Sequence, residues 1–281
     1  MKIKIFILIL FILFLSAHFS AYTIPASADD TCIEVFCGSA VKPAIEEIAV
    51  KFKEDTGIAV NLHIGSSGVM LSELKLARRG DIYIPGSNDF LSKAERDGVV
   101  EKGKFKIITY LIPSIVVPAL NPQKVESLED LARPGIKVLI GNPESVCLGV
   151  YALEIMKENE LYEKVKPNII TYAESCEKVA SVVAMGNIDA AIGWSVFEKW
   201  NPEKIKSIPL KPEDIKRLAF VPAALTTFTE KKNSALKFIN FLSNDKSLNI
   251  LRKMGYSPTL EEAKEIAPDA AIGGEYKVGN Y

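Results

Sequence analysis

The sequence predicts an α/β fold of two lobes, each built on a doubly wound, mostly parallel sheet, with two chain crossings between them. Three observations predict it. Short β-rich runs alternate with segments of helical period along most of the chain, the pattern of parallel strands joined by crossover helices. Small-residue turns follow the strands at Ser39, Ser67, Cys147 and Cys176. Two long apolar stretches, 105–120 and 218–227, lack a helical period and suit strands passing between lobes.

Residues 1–28 read as a secretory signal peptide. Lys2 and Lys4 precede an unbroken apolar run over 5–15, too short to span a bilayer, and Ala26-Ser27-Ala28 supplies a cleavage site. An uncleaved anchor is the alternative. Cys32 raises a lipoprotein reading, which Asp29-Asp30-Thr31 disfavours because lipidation needs a small apolar run there. The expected location is periplasmic or extracytoplasmic. Cleavage would remove two lysines and no acid, moving the formal charge from −1 to −3. Such a balance gives no electrostatic reason to expect nucleic acid or anionic lipid as a partner.

The elements then follow in order. Ile33-Glu34-Val35-Phe36 is a strand, Cys37-Gly38-Ser39 a turn, and Val41, Ile45, Ile48, Ala49 and Phe52 recur at helical spacing. A strand over 58–64 runs into Gly65-Ser66-Ser67-Gly68 and a helix bearing Met70, Leu71 and Leu74. Asp81-Ile82-Tyr83-Ile84 is a strand stopped by Pro85-Gly86 and followed by a helix through Phe90, Leu91 and Ala94. The stretch 105–120, broken by Pro113 and Pro118, leaves the first lobe for the second. There, strands at 137–140, 168–172 and 189–194 alternate with helices that begin near Cys147 and Cys176. The stretch 218–227 is the expected return crossing, and 235–242 and 247–254 are closing helices. The segment after Gly255 has little hydrophobic period and is expected on the surface. The division is signal peptide 1–28, first lobe 29–112 plus 220–281, and second lobe 113–219.

A strand that turns into a helix leaves free N–H groups at the positive end of the helix dipole, where anions bind. One such turn is a weak signal, because a serine there is more often only a helix cap. Four converging on one cleft point to an anion site.

At this point the sequence resembles a known family, the periplasmic molybdate-binding proteins of ABC importers, which have the type II solute-binding fold. The resemblance rests on Val35-Phe36 with its small-residue turn, Gly65-Ser66-Ser67, Gly80-Asp81-Ile82-Tyr83-Ile84, Gly141-Asn142-Pro143-Glu144 with Gly149-Val150-Tyr151-Ala152, and Lys253-Met254-Gly255-Tyr256. It implies capture of a molybdate- or tungstate-type oxyanion and delivery to a membrane permease, by a monomer with no cofactor. Carried across by position, it places the ligand on Ser39 or Ala40, Ser67, Cys147 with Leu148, Cys176 and Trp194. Where the family has a tyrosine this chain has Trp194, which can donate but not accept.

The departures concern cysteine. Cys32 and Cys37 are too far apart along one strand to be bridged. Cys37, Cys147 and Cys176 fall at the cleft, as small buried residues, with a disulfide between Cys147 and Cys176, or as a three-thiolate pocket for a soft species such as arsenite. Thiols at helix N-termini would be acidified. Catalysis has little support: His63 is the only histidine after the signal segment, and no nucleotide loop or Cys-x-x-Cys motif occurs. A ligand-binding sensor that docks on a signalling receptor is a further alternative.

Overall fold

The computed structural model describes residues 31–279, so the signal-peptide reading of 1–28 lies outside the described residues. The chain forms two mixed sheets with helices packed on both faces. In the first sheet β1 (Cys32–Gly38) pairs in parallel with β2 (Ala59–Gly65) and β3 (Ile82–Ile84). The second sheet has the parallel trio β7 (Ile169–Ala173), β6 (Val138–Gly141) and β8 (Ala190–Trp194). Around these parallel cores the crossing strands run antiparallel: β4 (Lys106–Leu111) and β3 each pair with β10 (Arg217–Leu225), and β5 (Pro113–Pro118) pairs with β8 and β9 (Ile205–Pro209).

Local chemistry accounts for the elements. In β1 the side chains of Ile33, Val35, Phe36 and Cys37 are all buried, as expected of a strand covered on both faces. Helix α1 (Lys42–Thr56) has Pro43 in its first turn and stops at Gly57, which adopts φ 75°. Its Ile45, Ile48 and Phe52 face the core, and Phe52 meets Phe238 and Phe241 of α8 (Lys232–Phe241) edge-on. Ser66, Ser175 and Asn244 cap α2 (Ser67–Ala77), α6 (Cys176–Ala184) and α9 (Asp245–Lys253). Helices α3 (Asn88–Arg96) and α4 (Cys147–Glu158) begin at the turns after β3 and β6. Two one-turn helices, α5 (Tyr162–Val165) and α7 (Phe197–Trp200), complete the second lobe.

The outbound crossing is abrupt. Leu111 pairs with Ala219 in the first sheet and Pro113 with Trp194 in the second, so Ile112 alone separates them. The return crossing occupies 210–216, before the stretch expected to make it. Residues 217–225 are β10, wholly within the first sheet. An apolar extended run reports a buried strand and cannot say which sheet it joins.

The segment after Gly255 corrects the expectation of a surface tail. It forms α10 (Leu260–Ile266) and β11 (Ala271–Ile272), which pairs with β10. Ala263, Ala267 and Ala270 are buried; alanines give too little hydrophobic contrast to show a period.

Candidate functional site

The turns after β1, β2, β3, β6 and β7 meet between the two sheets. Ser66 accepts from the Val69 N–H at 3.4 Å and is the cap of α2, so Ser67 is not needed for capping. The Ser67 hydroxyl instead accepts from the Gly86 N–H at 2.9 Å. The same division holds at α6, where Ser175 caps through the Lys178 N–H at 3.0 Å and Cys176 takes the first helical position.

Gly86 sits at the centre. A Cβ there would lie 2.6 Å from Cys147 Sγ, 3.1 Å from Ala40 Cβ and 3.5 Å from Ser67 Oγ, distances that no other residue type tolerates without displacement. In sequence, Pro85-Gly86 marks only a strand stop. Ser87, next to it, begins α3 but makes no capping bond through its side chain.

Two buried tyrosines fix the serine turns. Tyr83 donates to the Ser67 carbonyl at 2.7 Å, and Tyr256 donates to the Ala40 carbonyl at 2.9 Å. Burial pushes both phenols up, which keeps them protonated as donors. Tyr256 closes the Lys253-Met254-Gly255-Tyr256 motif, whose contact with the site only the tertiary structure reveals.

The residues expected to bind ligand are all buried: Ser39, Ala40, Ser67, Cys147, Leu148, Cys176 and Trp194. Ala40, Ser67 and Cys147 converge around Gly86, and Cys176 lies with its sulfur 3.8 Å from that of Cys147. Trp194 at the end of β8 sets its ring edge-on to that of Tyr151 at 5.4 Å, and Tyr151 is one helical turn along α4 from Cys147. Three buried atoms in or beside this group have no hydrogen-bond partner among the described residues: Ser39 Oγ, Ser87 Oγ and Trp194 Nε1. Tyr162 Oη and Trp200 Nε1, outside the positions expected to bind ligand, are likewise unpartnered. Buried polar groups are nearly always satisfied, so the orphaned Ser39 and Trp194, both at positions expected to bind ligand, are where an acceptor would fit.

The thiols differ from expectation. Burial, reinforced by the negative charge of Glu46, pushes Cys37 up. The contact with Cys176, together with burial, pushes Cys147 up. At Cys147, the first residue of its helix, these two effects outweigh the helix terminus, so that thiol is not acidified. Cys37 directs its sulfur at the Gly38 carbonyl, 3.4 Å away. Among the described residues no three His, Cys, Asp or Glu side chains group as metal ligands.

The two lobes touch along a seam through this site. The Gly68 N–H donates to the Ser145 carbonyl at 2.8 Å, and Lys42 of α1 pairs with Glu177 of α6 at 2.9 Å. Beside that pair opens a groove of about 470 Å³, lined by Pro43, Ala180, Trp200 and Lys204 among others; it adjoins the buried cluster without containing it. Further along, Cys147, Tyr151 and Glu154 share one face of α4 at helical spacing. Tyr151 donates to Asn88 at 3.3 Å, and Glu154 meets Arg217 at 2.6 Å. Arg217 also pairs with Asp89 at 3.1 Å, lies over the Tyr151 ring and donates to the Gly274 carbonyl at 2.9 Å. The Tyr276 N–H donates to Asp89 at 2.9 Å. Sequence reasoning missed this buried triad, because its members lie in three separate elements.

The molybdate-binding protein ModA of Rhodobacter capsulatus is 24% identical over 234 residues, covering 83% of this chain and 90% of that protein. The solved periplasmic molybdate-binding protein of Azotobacter vinelandii superposes with a TM-score of 0.70 at 20% identity, covering 80% of this chain and 98% of that one. The sulfate-binding protein SubI of Mycobacterium tuberculosis superposes with a TM-score of 0.73 at 17% identity, covering 86% and 93%. These superpositions show the two-lobed type II fold. Residues 33–257 match the family model for bacterial extracellular solute-binding proteins, and the chain belongs to that family of transporter binding proteins, not to a family of enzymes.

Proposed function

We propose that this protein captures a compact tetrahedral oxyanion of the molybdate or tungstate type between its lobes and delivers it to the permease of an ABC importer. The observation that carries the reading is the set of orphaned buried donors, Ser39 Oγ and Trp194 Nε1, at two positions expected to bind the ligand. Sulfate and molybdate binders share this fold, so the fold alone does not select the anion. The similarity to ModA proteins favours molybdate.

The pocket's own side chains are uncharged: hydroxyls, an indole and neutral thiols. A fully ionised dianion suits such donors, because no carboxylate is present to accept a proton from a protonated anion. Hydrogen bonds to a charged oxygen contribute roughly 1.5–3 kcal/mol each, and helix N-termini add to them. Four or five together suffice for submicromolar affinity. The anion binds to one open lobe, and the second lobe closes on it because the closed state makes the additional bonds. Exit to the permease reverses that closure.

Calorimetry against molybdate, tungstate, sulfate and phosphate tests the reading. Molybdate or tungstate should bind at least a hundredfold more tightly than sulfate and phosphate. Tight phosphate binding without a molybdate response would sink it.

A further inference from the structure

We propose that Cys147 and Cys176 are a disulfide-forming pair inside the anion site, closed by thiol–disulfide exchange with a disulfide-bearing oxidant when the lobes part. The pair rests on its own geometry; only its protection by anion rests on the reading above.

The two sulfurs lie 3.8 Å apart, and both residues are buried. Each is the first residue of its helix. The two turns leave neighbouring parallel strands, with Gly141 of β6 opposite Ala173 of β7. From 3.8 Å the sulfurs need to approach by about 1.8 Å to reach the bonded distance of about 2.05 Å. Both cysteines belong to the second sheet's side of the seam, so the bond leaves the lobes free to open. Cys37 is on the other side, with its sulfur on the Gly38 carbonyl, and a bond to it would lock the cleft.

Both cysteines are buried here, and Ser145 and Glu177, close to them in the chain, contact Gly68 and Lys42 across the seam. The contact with Cys176, together with burial, also pushes the Cys147 thiol up, and a thiol, unlike a thiolate, is a poor nucleophile. Opening admits the oxidant and removes the burial. One cysteine then loses its proton and displaces half of the oxidant as a thiolate, giving a mixed disulfide. The second cysteine loses its proton and displaces the other half. Two protons leave the cysteines, the oxidant takes up two electrons, and two small thiols result.

The test uses the full reduced chain with glutathione disulfide as oxidant. Intact mass should fall by two hydrogens, and peptide mapping should show one cross-link, Cys147 to Cys176. Cys37→Ser should leave the reaction unchanged, whereas Cys147→Ser and Cys176→Ser should each abolish it. Saturating molybdate should slow the cross-link at least tenfold. Persistent free thiols, stable glutathione adducts, or a link to Cys32 or Cys37 would overturn the pair; these are read on the wild-type chain and need no variant to fold. If the cross-link forms without anion and molybdate fails to slow it, the pair stands and the oxyanion reading falls.

Discussion

Replacing Arg217 with Met tests the buried triad that joins the lobes. Met keeps much of the aliphatic stem and removes only the charge and its donors. Arg217 holds Glu154 through Nε at 3.0 Å and Nη2 at 2.6 Å, and Asp89 through Nη2 at 3.1 Å. All three residues are less than a tenth exposed. The substitution therefore strands two carboxylates away from water with no cation. Breaking a buried pair from one side costs about 3–5 kcal/mol, a large share of a total of roughly 5–15 kcal/mol. At roughly 2–4 °C per kcal/mol the melting temperature should fall by roughly 6–20 °C. The pH dependence has a definite sign. Burial already pushes Glu154 up despite Arg217, and without the cation it rises further. A carboxyl raised in the folded state favours folding below its unfolded value, and that gain is lost as pH rises through the folded value. The deficit of Arg217→Met should thus be smaller at pH 5 than at pH 8. Adding Asp89→Asn and Glu154→Gln should restore most of the lost stability. Differential scanning calorimetry at both pH values reads all of this. A loss under ~1 kcal/mol, or a larger deficit at pH 5, would refute the claim that the triad is a desolvated, mutually dependent unit.

Four further outcomes are expected. Ser67→Ala should weaken molybdate binding by tenfold or more in calorimetry, since a buried donor to a charged oxygen is lost; unchanged affinity would remove Ser67 from the site. Gly86→Ala should cost about 1–3 kcal/mol of stability and abolish anion binding, because its Cβ would fall 2.6 Å from Cys147 Sγ; wild-type melting would show that the turns have room. Tyr256→Phe should lower stability by about 0.5–1.5 kcal/mol and weaken molybdate several-fold through the freed Ala40 carbonyl; equal affinity would confine Tyr256 to packing. Small-angle scattering should show a smaller radius of gyration with molybdate than without, and identical profiles at saturation would count against lobe closure.

Much was legible in the sequence because local chemistry writes it there. Alternating short apolar runs and helical periods marked nearly every strand and helix, since a parallel sheet needs crossover helices and buried strands need apolar side chains on both faces. The outbound crossing showed as an apolar stretch punctuated by Pro113. The serine and cysteine turns showed because small residues must occupy a strand-to-helix turn that other chain segments approach. The separation of Cys32 from Cys37 followed from strand geometry alone, and both are free thiols.

Other features were decided only by the tertiary structure. The division of labour between Ser66 and Ser67 depends on which hydroxyl reaches the helix N–H, and two adjacent serines look alike in sequence. Gly86 reads as punctuation until Cys147, Ala40 and Ser67 are seen to crowd it. Arg217, Glu154 and Asp89 lie far apart in the chain, and only the meeting of α3, α4 and β10 buries them together. The thiols show the same principle with the opposite sign. A cysteine at a helix N-terminus reads as acidic, but Cys147 is pushed up by its contact with Cys176 and by burial. Burial is a property of the packed whole, and the sequence supplies no local signal for it.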